Sequence, residues 1–421
     1  MLNWQNKNGW RKFAVCLTAL LILPIAIFSS KAMAPLFILL ALALIALNVA
    51  DKNRSFSLPK LPAIAFLFLL LWAAASSLWS FDFGTSSKLI LPLTALFGLG
   101  VFVLREINYI PHSARAITEK LLIWGAAITI ALLLFESVTG AWLTRTGRGL
   151  PWYEVINPQT GGINIEAFLR NGVVILTILM WPILSALTRQ RHFLGAALFL
   201  VLTIYLVFRF SSTTALVAII AGGIGIGLAS SRRKLASLIV GSMFVILLLG
   251  APFLVHQVTA GKNVQEIGQF SYDLKLPNSA TSRLIIWQFA AQHIFEKPFF
   301  GWGMNMARKI PDSGEKYTLK VVTPTGKNIV LFRESYMPLH PHNAALQIWL
   351  ELGAVGALIV AVFGWLFIRK LENMHTDPVI FGVVISILAF NFISFGAWQS
   401  WWIATQFLCL GLTLVTSRRN V

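Results

Sequence analysis

The sequence contains little cysteine and little charge. Its 421 residues include only two cysteines, Cys16 and Cys409, which lie in apolar runs near opposite ends of the chain. That number and spacing exclude a disulfide framework and a CxxC-type metal site. Lys, Arg, Asp and Glu make up 12% of the residues, whereas 57% are hydrophobic. A soluble protein of this length could not cover its surface with so little charge, so the sequence indicates a protein solvated by lipid.

Acidic residues are especially scarce, and no nucleotide-binding motif is present. There are 16 Asp or Glu against 34 Lys or Arg, a formal net charge of +18. In a soluble protein that excess would suggest nucleic acid as a partner. Here the basic residues mostly separate apolar runs, so we interpret them as topology signals and expect no nucleic-acid partner. The sequence lacks a GxxxxGK[ST] motif, so ATP is not the expected energy source.

Apolar runs long enough to cross a bilayer recur along the whole chain. A span needs about 20 mainly apolar residues. The first run could be a signal-peptide core, but further runs follow at once without an A-x-A-like cleavage site, so we expect it to be retained. The twelve predicted spans are residues 13–30, 32–50, 62–80, 88–104, 120–139, 168–188, 193–208, 212–229, 235–255, 344–368, 378–397 and 401–417.

The distribution of basic residues predicts the orientation of these spans. With the N-terminus in the cytoplasm, every cytoplasmic segment carries at least two Lys or Arg, which is the positive-inside pattern. We therefore predict an all-α polytopic membrane protein with about twelve transmembrane helices and both termini cytoplasmic. Residues 1–255 would hold helices 1–9 with a short outer loop at 140–167. Residues 256–342 would form a large outer segment containing short helices, and residues 343–421 would hold helices 10–12.

The 256–342 segment is basic and contains one clear helical pattern. It holds ten Lys or Arg and six acidic residues, which suggests that something anionic is handled on that face. Apolar residues at helical spacing predict a helix from Ser282 to Glu296 at the membrane interface or packed on the bundle, with Ser282 as N-cap. Arg283 then lies in the first turn, where the helix dipole disfavours a cation and implies an outside partner. Phosphate is one candidate, and a neighbouring carbonyl or lipid headgroup is the other.

Two further arginines lie at the outer ends of predicted spans. The positive-inside pattern would not place Arg170 and Arg209 there, and an arginine at such a boundary is costly enough to be a functional candidate. The alternative is that each side chain extends to the lipid headgroups. If both converge with Arg283, the three would form a pyrophosphate site at the outer membrane surface.

Two histidines precede the tenth predicted span, in the stretch LHPHNAALQIW. Asn343 is a good N-cap for a helix starting at Ala344, so His342 would stand at the positive end of that helix dipole. We expect it to be neutral near pH 7 and able to accept a proton. Three interpretations of His340 and His342 are open: a metal site, polar capping of the re-entering helix, and acid–base chemistry.

Small and acidic residues follow along the same predicted helix. Gly353 and Gly356 are three residues apart, a spacing that lets another helix approach closely in lipid. Glu351 would lie roughly 12 Å beyond the cap, too deep to touch His342. We expect it to make a structural hydrogen bond.

The combined spacing resembles a known signature. His342-Asn343, nine residues, Gly353, two residues and Gly356 resemble the motif of the bacterial O-antigen ligase family, within the O-antigen ligase/polymerase superfamily. The stretch SRLIIWQFAAQHIFEKPFFGWG resembles the one that precedes this motif in the wider superfamily. In outline, the resemblance covers the whole chain.

The resemblance implies a glycosyltransferase of lipopolysaccharide biosynthesis in the bacterial inner membrane, with its active site facing the periplasm. It would transfer O-antigen polysaccharide from undecaprenyl pyrophosphate to lipid A–core, inverting the anomeric centre without metal, ATP or cofactor. His342 matches the family's essential histidine and would be the general base. Arg283 and Arg209 match its arginines, Arg170 corresponds more weakly, and all three would bind pyrophosphate. The structural residues of the motif would be Asn343, Gly353 and Gly356.

Other functions stay open at this point. An O-antigen polymerase or a protein O-oligosaccharyltransferase of the same superfamily would use the same donor with another acceptor. A polyisoprenoid-glycan transporter would need charged residues deep in the spans and broken helices near the midplane. The ionisable residues cluster at the outer ends, with Glu136 and Glu351 as the main exceptions, which favours an enzyme.

Overall fold

The computed structural model describes residues 7–51, 60–111, 113–150, 165–374 and 377–417, and helices dominate these ranges. Each predicted span contains a helix. Residues 151–164 of the predicted loop at 140–167 lie outside the described residues, as do both chain ends. In chain order, the helices are α1 (Lys7–Phe28), α2 (Met33–Val49), α3 (Lys60–Ser76), α4 (Phe83–Ser87), α5 (Ile90–Glu106), α6 (Ala114–Val138), α7 (Trp142–Arg148), α8 (Ile165–Arg189), α9 (Phe193–Arg209), α10 (Thr213–Ser231), α11 (Arg233–Thr259), α12 (Val264–Asp273), α13 (Asn278–Glu296), α14 (Ala344–Lys370), α15 (Val379–Ile393) and α16 (Ser400–Thr416).

Eight helical stretches of the described chain are long and apolar enough to cross a membrane. They are Lys7–Phe28, Ser30–Val49, Phe83–Tyr109, Ala114–Val138, Phe168–Arg189, Thr213–Ser231, Arg233–Thr259 and Ala344–Asn373. Four apolar helices are shorter: Ile64–Trp79, Phe193–Arg209, Val379–Ile393 and Ser400–Thr416. Because a helix satisfies its own backbone hydrogen bonds, it is the form in which such apolar runs can enter lipid. The chain is therefore an all-α multi-pass membrane protein, as its sequence predicts.

The bundle is organised around α8, which is buried along most of its length. Every residue from 172 to 183 is buried. Seven helices contact α8, namely α1, α6, α7, α9, α10, α15 and α16. Peripheral helices instead expose large apolar side chains such as Leu194 and Leu91. Arg170 thus lies near the start of the most enclosed helix of the protein.

The 256–342 segment forms a small layer with its own apolar core. It contains α12, α13 and an antiparallel hairpin of β1 (Lys316–Val322) and β2 (Asn328–Ser335). Lys316 pairs with Ser335, and the register shifts once between Leu319 and Lys320. Ile267 of α12 and Leu319 of β1 are buried in the core of this layer.

The hairpin is an element that the sequence analysis missed. Tyr317, Leu319 and Val321 are buried at every second position, which is the period of a strand with one buried face. This alternation is readable in the sequence, and it identifies a strand where only short helices were predicted. The hairpin and α12 both pack against α13, which carries Arg283.

Candidate active site

The loop between β2 and α14 holds the two histidines in a fixed arrangement. Asn343 caps α14 as predicted, since its Oδ1 accepts the backbone N–H of Leu346 at 3.1 Å. The N–H of His342 donates to Nδ1 of His340 at 2.9 Å, and the two ring centroids lie 4.4 Å apart. From α13, the indole N–H of Trp287 donates to the carbonyl of Pro341 at 2.8 Å. The histidine pair is therefore tied to both α13 and α14.

The ring of His342 has one nitrogen engaged and one available. Its Nδ1 lies 2.9 Å from the carbonyl oxygen of Ser394, which can only accept, so Nδ1 carries the proton and donates. Burial lowers the pKa of His342, the hydrogen bond to Ser394 opposes this, and the charge of Arg283 lowers the pKa further. The ring is therefore neutral near pH 7, as expected, and burial is the main cause. Nε2 of the neutral ring is left with a lone pair that can accept a proton.

His340 is the more deeply enclosed member of the pair. Its residue is 5% exposed, and its Nδ1 already accepts a hydrogen bond. Burial, followed by the charges of His342 and Arg308, lowers its pKa to about 3. His340 is therefore neutral at physiological pH with its proton on Nε2, which makes it a hydrogen-bond donor.

Arg283 lies farther along its helix than predicted. α13 begins at Asn278 with Pro277 as its N-cap residue, so the prediction of Ser282 as N-cap is wrong. The fixed φ of proline suits a helix start and explains the earlier beginning. Ser282 lies inside the helix, where its hydroxyl donates to the carboxylate of Glu334 in β2. Arg283 is consequently beyond the first turn, and the argument from the helix dipole does not apply to it.

Arg283 is instead a half-buried cation close to a second cation. Burial lowers its pKa, and the charge of Arg170 lowers it further. Among the described residues, none forms a hydrogen bond or an ion pair with the Arg283 guanidinium. Two neighbouring guanidiniums that disfavour each other's charge create a local positive potential that an anion would relieve.

Arg170 and Arg209 are both held by backbone carbonyls. Nε of Arg170 donates to the carbonyl of Phe210 at 3.2 Å, and Nη2 of Arg209 donates to the carbonyl of Ser137 at 3.4 Å. Both side chains are half-buried. Arg209 lies next to Phe210 in sequence and stacks over its ring, so the same residue contacts both arginines.

The structure brings most of the predicted site residues together. The charge of Arg283 acts on His342, and the charge of Arg170 acts on Arg283, so Arg283 lies within electrostatic range of both. Arg209 joins them through Phe210. No sequence pattern could indicate the Ser394 carbonyl that orients His342, because any residue type supplies that group.

Glu351 makes structural hydrogen bonds, as predicted. Its buried carboxylate accepts the backbone N–H groups of Asn305 and Ala307 at 2.6 and 3.3 Å. It also accepts the side-chain N–H groups of Gln347 and Trp398 at 3.1 and 2.9 Å. One carboxylate on α14 thus fixes the loop after α13 and the loop before α16.

The two glycines of the motif have a different role from the predicted contact between helices. Gly353 interrupts α14 with φ 64° and ψ −167°, and a Cβ there would lie 2.2 Å from the carbonyl oxygen of Phe299. The turn that follows α13 fits against this break. At Gly356, a Cβ would meet Leu352 of the same helix at 2.3 Å. The close approach at Gly353 therefore comes from a turn, and Gly356 avoids crowding within α14.

An apolar cavity of about 320 Å³ begins beside the histidine loop and runs into the bundle. Ala344 and Trp398 lie at one end of it, and Phe97 and Phe367 line it farther along. Within the described ranges, no three or more His, Cys, Asp or Glu side chains are grouped so that they could hold a metal ion.

Residues 197–361 match the sequence profile of the O-antigen ligase family. The matched part runs from α9 into α14 and includes Arg209, Arg283, His342 and Gly353. This region of the chain is therefore similar to the O-antigen ligase family. The resemblance read from the histidine–glycine spacing is confirmed.

Three curated proteins are similar over more than half of the chain. A Rickettsia bellii protein named "Putative polysaccharide ligase" is 26% identical over 311 residues, which cover 71% of this chain and 67% of its own length. A Rickettsia conorii protein of the same description is 27% identical over 305 residues, covering 71% and 66%. One from Rickettsia typhi is 28% identical over 244 residues, covering 56% and 55%. The matched region thus spans about two thirds of the first two relatives.

Proposed function

We propose that this chain is a glycosyltransferase that transfers O-antigen polysaccharide from undecaprenyl pyrophosphate to lipid A–core in lipopolysaccharide assembly. The reaction would need neither metal nor ATP and would invert the anomeric centre. His342 is the general base, and Arg283, Arg209 and Arg170 bind the pyrophosphate. The observation that carries this proposal is the half-buried Arg283, whose pKa is lowered by the charge of Arg170 and whose own charge lowers the pKa of His342.

The chemistry follows from these groups. The acceptor hydroxyl attacks the anomeric carbon, forming the new C–O bond, while its proton passes to Nε2 of His342. The bond from the anomeric carbon to the pyrophosphate oxygen breaks, and its electron pair leaves with the pyrophosphate. The arginines stabilise the charge that develops on the leaving group. A single displacement of this kind places the new bond opposite the old one, so the configuration inverts.

The nitrogen that accepts the proton is set by the backbone. Because the Nδ1 proton is directed to the Ser394 carbonyl, the tautomer with a free Nε2 is favoured. A positioned base of this type contributes roughly 10²- to 10⁴-fold to rate.

The membrane arrangement belongs to the same proposal. Twelve helices would span the bacterial inner membrane with both termini in the cytoplasm. The 256–342 segment and the histidine loop would face the periplasm, where both substrates are lipid-anchored. The apolar cavity that begins at Ala344 offers space for an acyl or isoprenoid chain close to the reacting groups.

The test is transfer by the purified protein. It is mixed with undecaprenyl-pyrophosphate-linked glycan and lipid A–core, with EDTA and without ATP, and the product is followed on gels. The informative variant is His342→Asn. Its amide can donate to Ser394 as Nδ1 does, asparagine tolerates the φ of 53° found at this position, and no base replaces Nε2. His192→Ala, at an exposed histidine between α8 and α9, is the matched control.

We expect product from the wild type and from His192→Ala, and at least a 100-fold lower rate from His342→Asn. Equal rates for His342→Asn and the wild type would rule out His342 as the base. Polymerised donor with unmodified lipid A–core would indicate the sister polymerase, and untouched donor would contradict a transferase.

A further inference from the structure

A small polar cavity of about 160 Å³ lies on the far side of the histidine pair, next to His340. The loop after α13, the first turns of α14 and the turn before α16 enclose it, through Asn305, Arg308, Gln347 and Gln399 among others. The turn packs tightly there, since a Cβ at Gly396 would lie 2.9 Å from the His340 ring. None of the arginines of the proposed pyrophosphate site lines this cavity.

Part of the cavity wall is already saturated with hydrogen bonds. The Glu351 carboxylate accepts four N–H groups, including those of Gln347 and Trp398. The side-chain oxygen of Gln347 accepts the backbone N–H of Ala397 at 2.9 Å. These residues form a fixed part of the cavity wall and have little hydrogen-bonding capacity left for a ligand.

The other polar groups that line the cavity still have hydrogen-bonding capacity for a ligand. Asn305 uses its amide nitrogen on the carbonyl of Thr85, which leaves its oxygen as an acceptor. Gln399 uses its oxygen on the N–H of Gly396, which leaves its amide nitrogen as a donor. The exposed guanidinium of Arg308 has no hydrogen-bond or ion-pair partner in the part of the chain that the structure describes.

His340 completes this set as a donor. Its Nδ1 accepts from the His342 backbone, so the proton of the neutral ring is on Nε2. Its ring centroid lies 4.4 Å from that of His342, so a ligand in the cavity is adjacent to the proposed base.

We propose that this cavity is the acceptor subsite and that it binds one sugar ring bearing an anionic substituent. Neutral donors and an acceptor around a small space match sugar hydroxyls, and a guanidinium without a counter-ion matches a phosphate or carboxylate. The volume of about 160 Å³ suits a single sugar ring and not a longer oligosaccharide. The inference rests on the proposed function, because it assigns the cavity to the acceptor of that reaction.

His340 and Arg308 act here as binding and positioning groups. They hold the acceptor ring so that one of its hydroxyls reaches Nε2 of His342. Removing Arg308 therefore weakens acceptor binding and leaves donor binding unchanged. A charge-assisted hydrogen bond lost in this way corresponds to about tenfold or more in affinity.

The experiment compares the wild type with Arg308→Ala, Arg308→Lys and the control Arg333→Ala, an exposed arginine of β2. The KM for lipid A–core and the KM for the donor are measured separately in the transfer assay. Binding of the core oligosaccharide released from lipid A is measured by calorimetry on the same full-length proteins. The oligosaccharide is used with and without phosphatase treatment.

We expect Arg308→Ala to raise the KM for lipid A–core about tenfold, to leave the KM for the donor unchanged, and to weaken oligosaccharide binding equally. Lysine should restore part of the loss, and Arg333→Ala should match the wild type. Weaker binding of phosphatase-treated oligosaccharide to the wild type but not to Arg308→Ala would identify the anion as phosphate. An effect of Arg308 without an effect of phosphatase would identify a carboxylate.

Unchanged acceptor KM and unchanged oligosaccharide binding in Arg308→Ala would overturn the assignment while leaving the transferase intact. A raised donor KM would overturn it as well, because Arg308 would then serve the donor. Conversely, a wild type that binds the oligosaccharide through Arg308 but transfers nothing would refute the proposed function and keep the saccharide site.

Discussion

Replacing Arg283 with methionine should separate activity from stability. Methionine preserves much of the length of the side chain and its packing but carries no charge. In the folded protein, the Arg283 guanidinium is half-buried, close to Arg170, and without a neutralising partner among the described residues. Both burial and the like charge disfavour its charged form, so neutralising it should stabilise the fold by about 1 kcal/mol. For a chain of this length, that corresponds to a rise of about 1–2 °C in the apparent Tm.

The same substitution should remove most of the activity. Arg283 can give the pyrophosphate two charge-assisted hydrogen bonds, each contributing about 1.5–3 kcal/mol. Losing both corresponds to about 3–6 kcal/mol, or a fall of roughly 10²- to 10⁴-fold in kcat/KM for the donor. If Arg283 had a purely structural role, its substitution would instead lower both the stability of the fold and the activity.

The assay pairs thermal unfolding in detergent with transfer kinetics on the same preparations. Arg333→Met is the matched control, because Arg333 is exposed on β2 and lies outside the proposed site. We expect it to change neither quantity. An Arg283→Met protein with a lower Tm would refute the claim that the Arg283 charge destabilises the fold. A kcat/KM within threefold of the wild type would refute its role in binding the pyrophosphate.

Two further predictions concern the histidine and the glycine of the motif. Burial lowers the pKa of His342 below its usual 6.5, so the acid limb of the kcat/KM profile should be centred below pH 6.5. An acid limb centred above 6.5 would contradict this. Gly353→Ala should destabilise the fold by about 3 kcal/mol or more, since alanine would take a left-handed φ with its Cβ 2.2 Å from the Phe299 carbonyl oxygen. The control is Gly227→Ala, where the added Cβ meets nothing within 4 Å, and it should retain the wild-type Tm. Equal Tm values for the two variants would show that the break in α14 tolerates a side chain.

The helices could be predicted because hydropathy and capping are local properties. The sixth predicted span, 168–188, corresponds to α8 at Ile165–Arg189, and the tenth, 344–368, corresponds to α14 at Ala344–Lys370. The Asn343 cap depends only on the residues that follow it. Hydropathy predicts the lengths of the helices less well. The predicted span 378–397 contains α15, which has only 15 residues. The helix ends at Ile393 because the chain then turns and places the Ser394 carbonyl next to His342.

The rest of the site depends on contacts that no local pattern encodes. The Ser394 carbonyl is 52 residues from His342, and it is a backbone group that leaves no side-chain signature. Arg308 and Gln399 approach the same cavity only because Glu351 binds the loops on either side of it. The sequence could identify Glu351 as a buried hydrogen-bonding group, but not the segments that it joins.

The spacing between the histidine and the first glycine of the motif has a structural reason. Their numbers differ by 11, which corresponds to about 16 Å of helix at 1.5 Å per residue. At one end, Asn343 starts α14 and fixes His342; at the other end, Gly353 breaks α14 and admits the turn at Phe299 that follows α13. Because α13 also carries Arg283, the two ends of the motif set the position of that arginine relative to the histidine. One inserted residue would rotate Gly353 by about 100° away from Phe299, so the spacing preserves the geometry of the proposed base and the proposed anion site together.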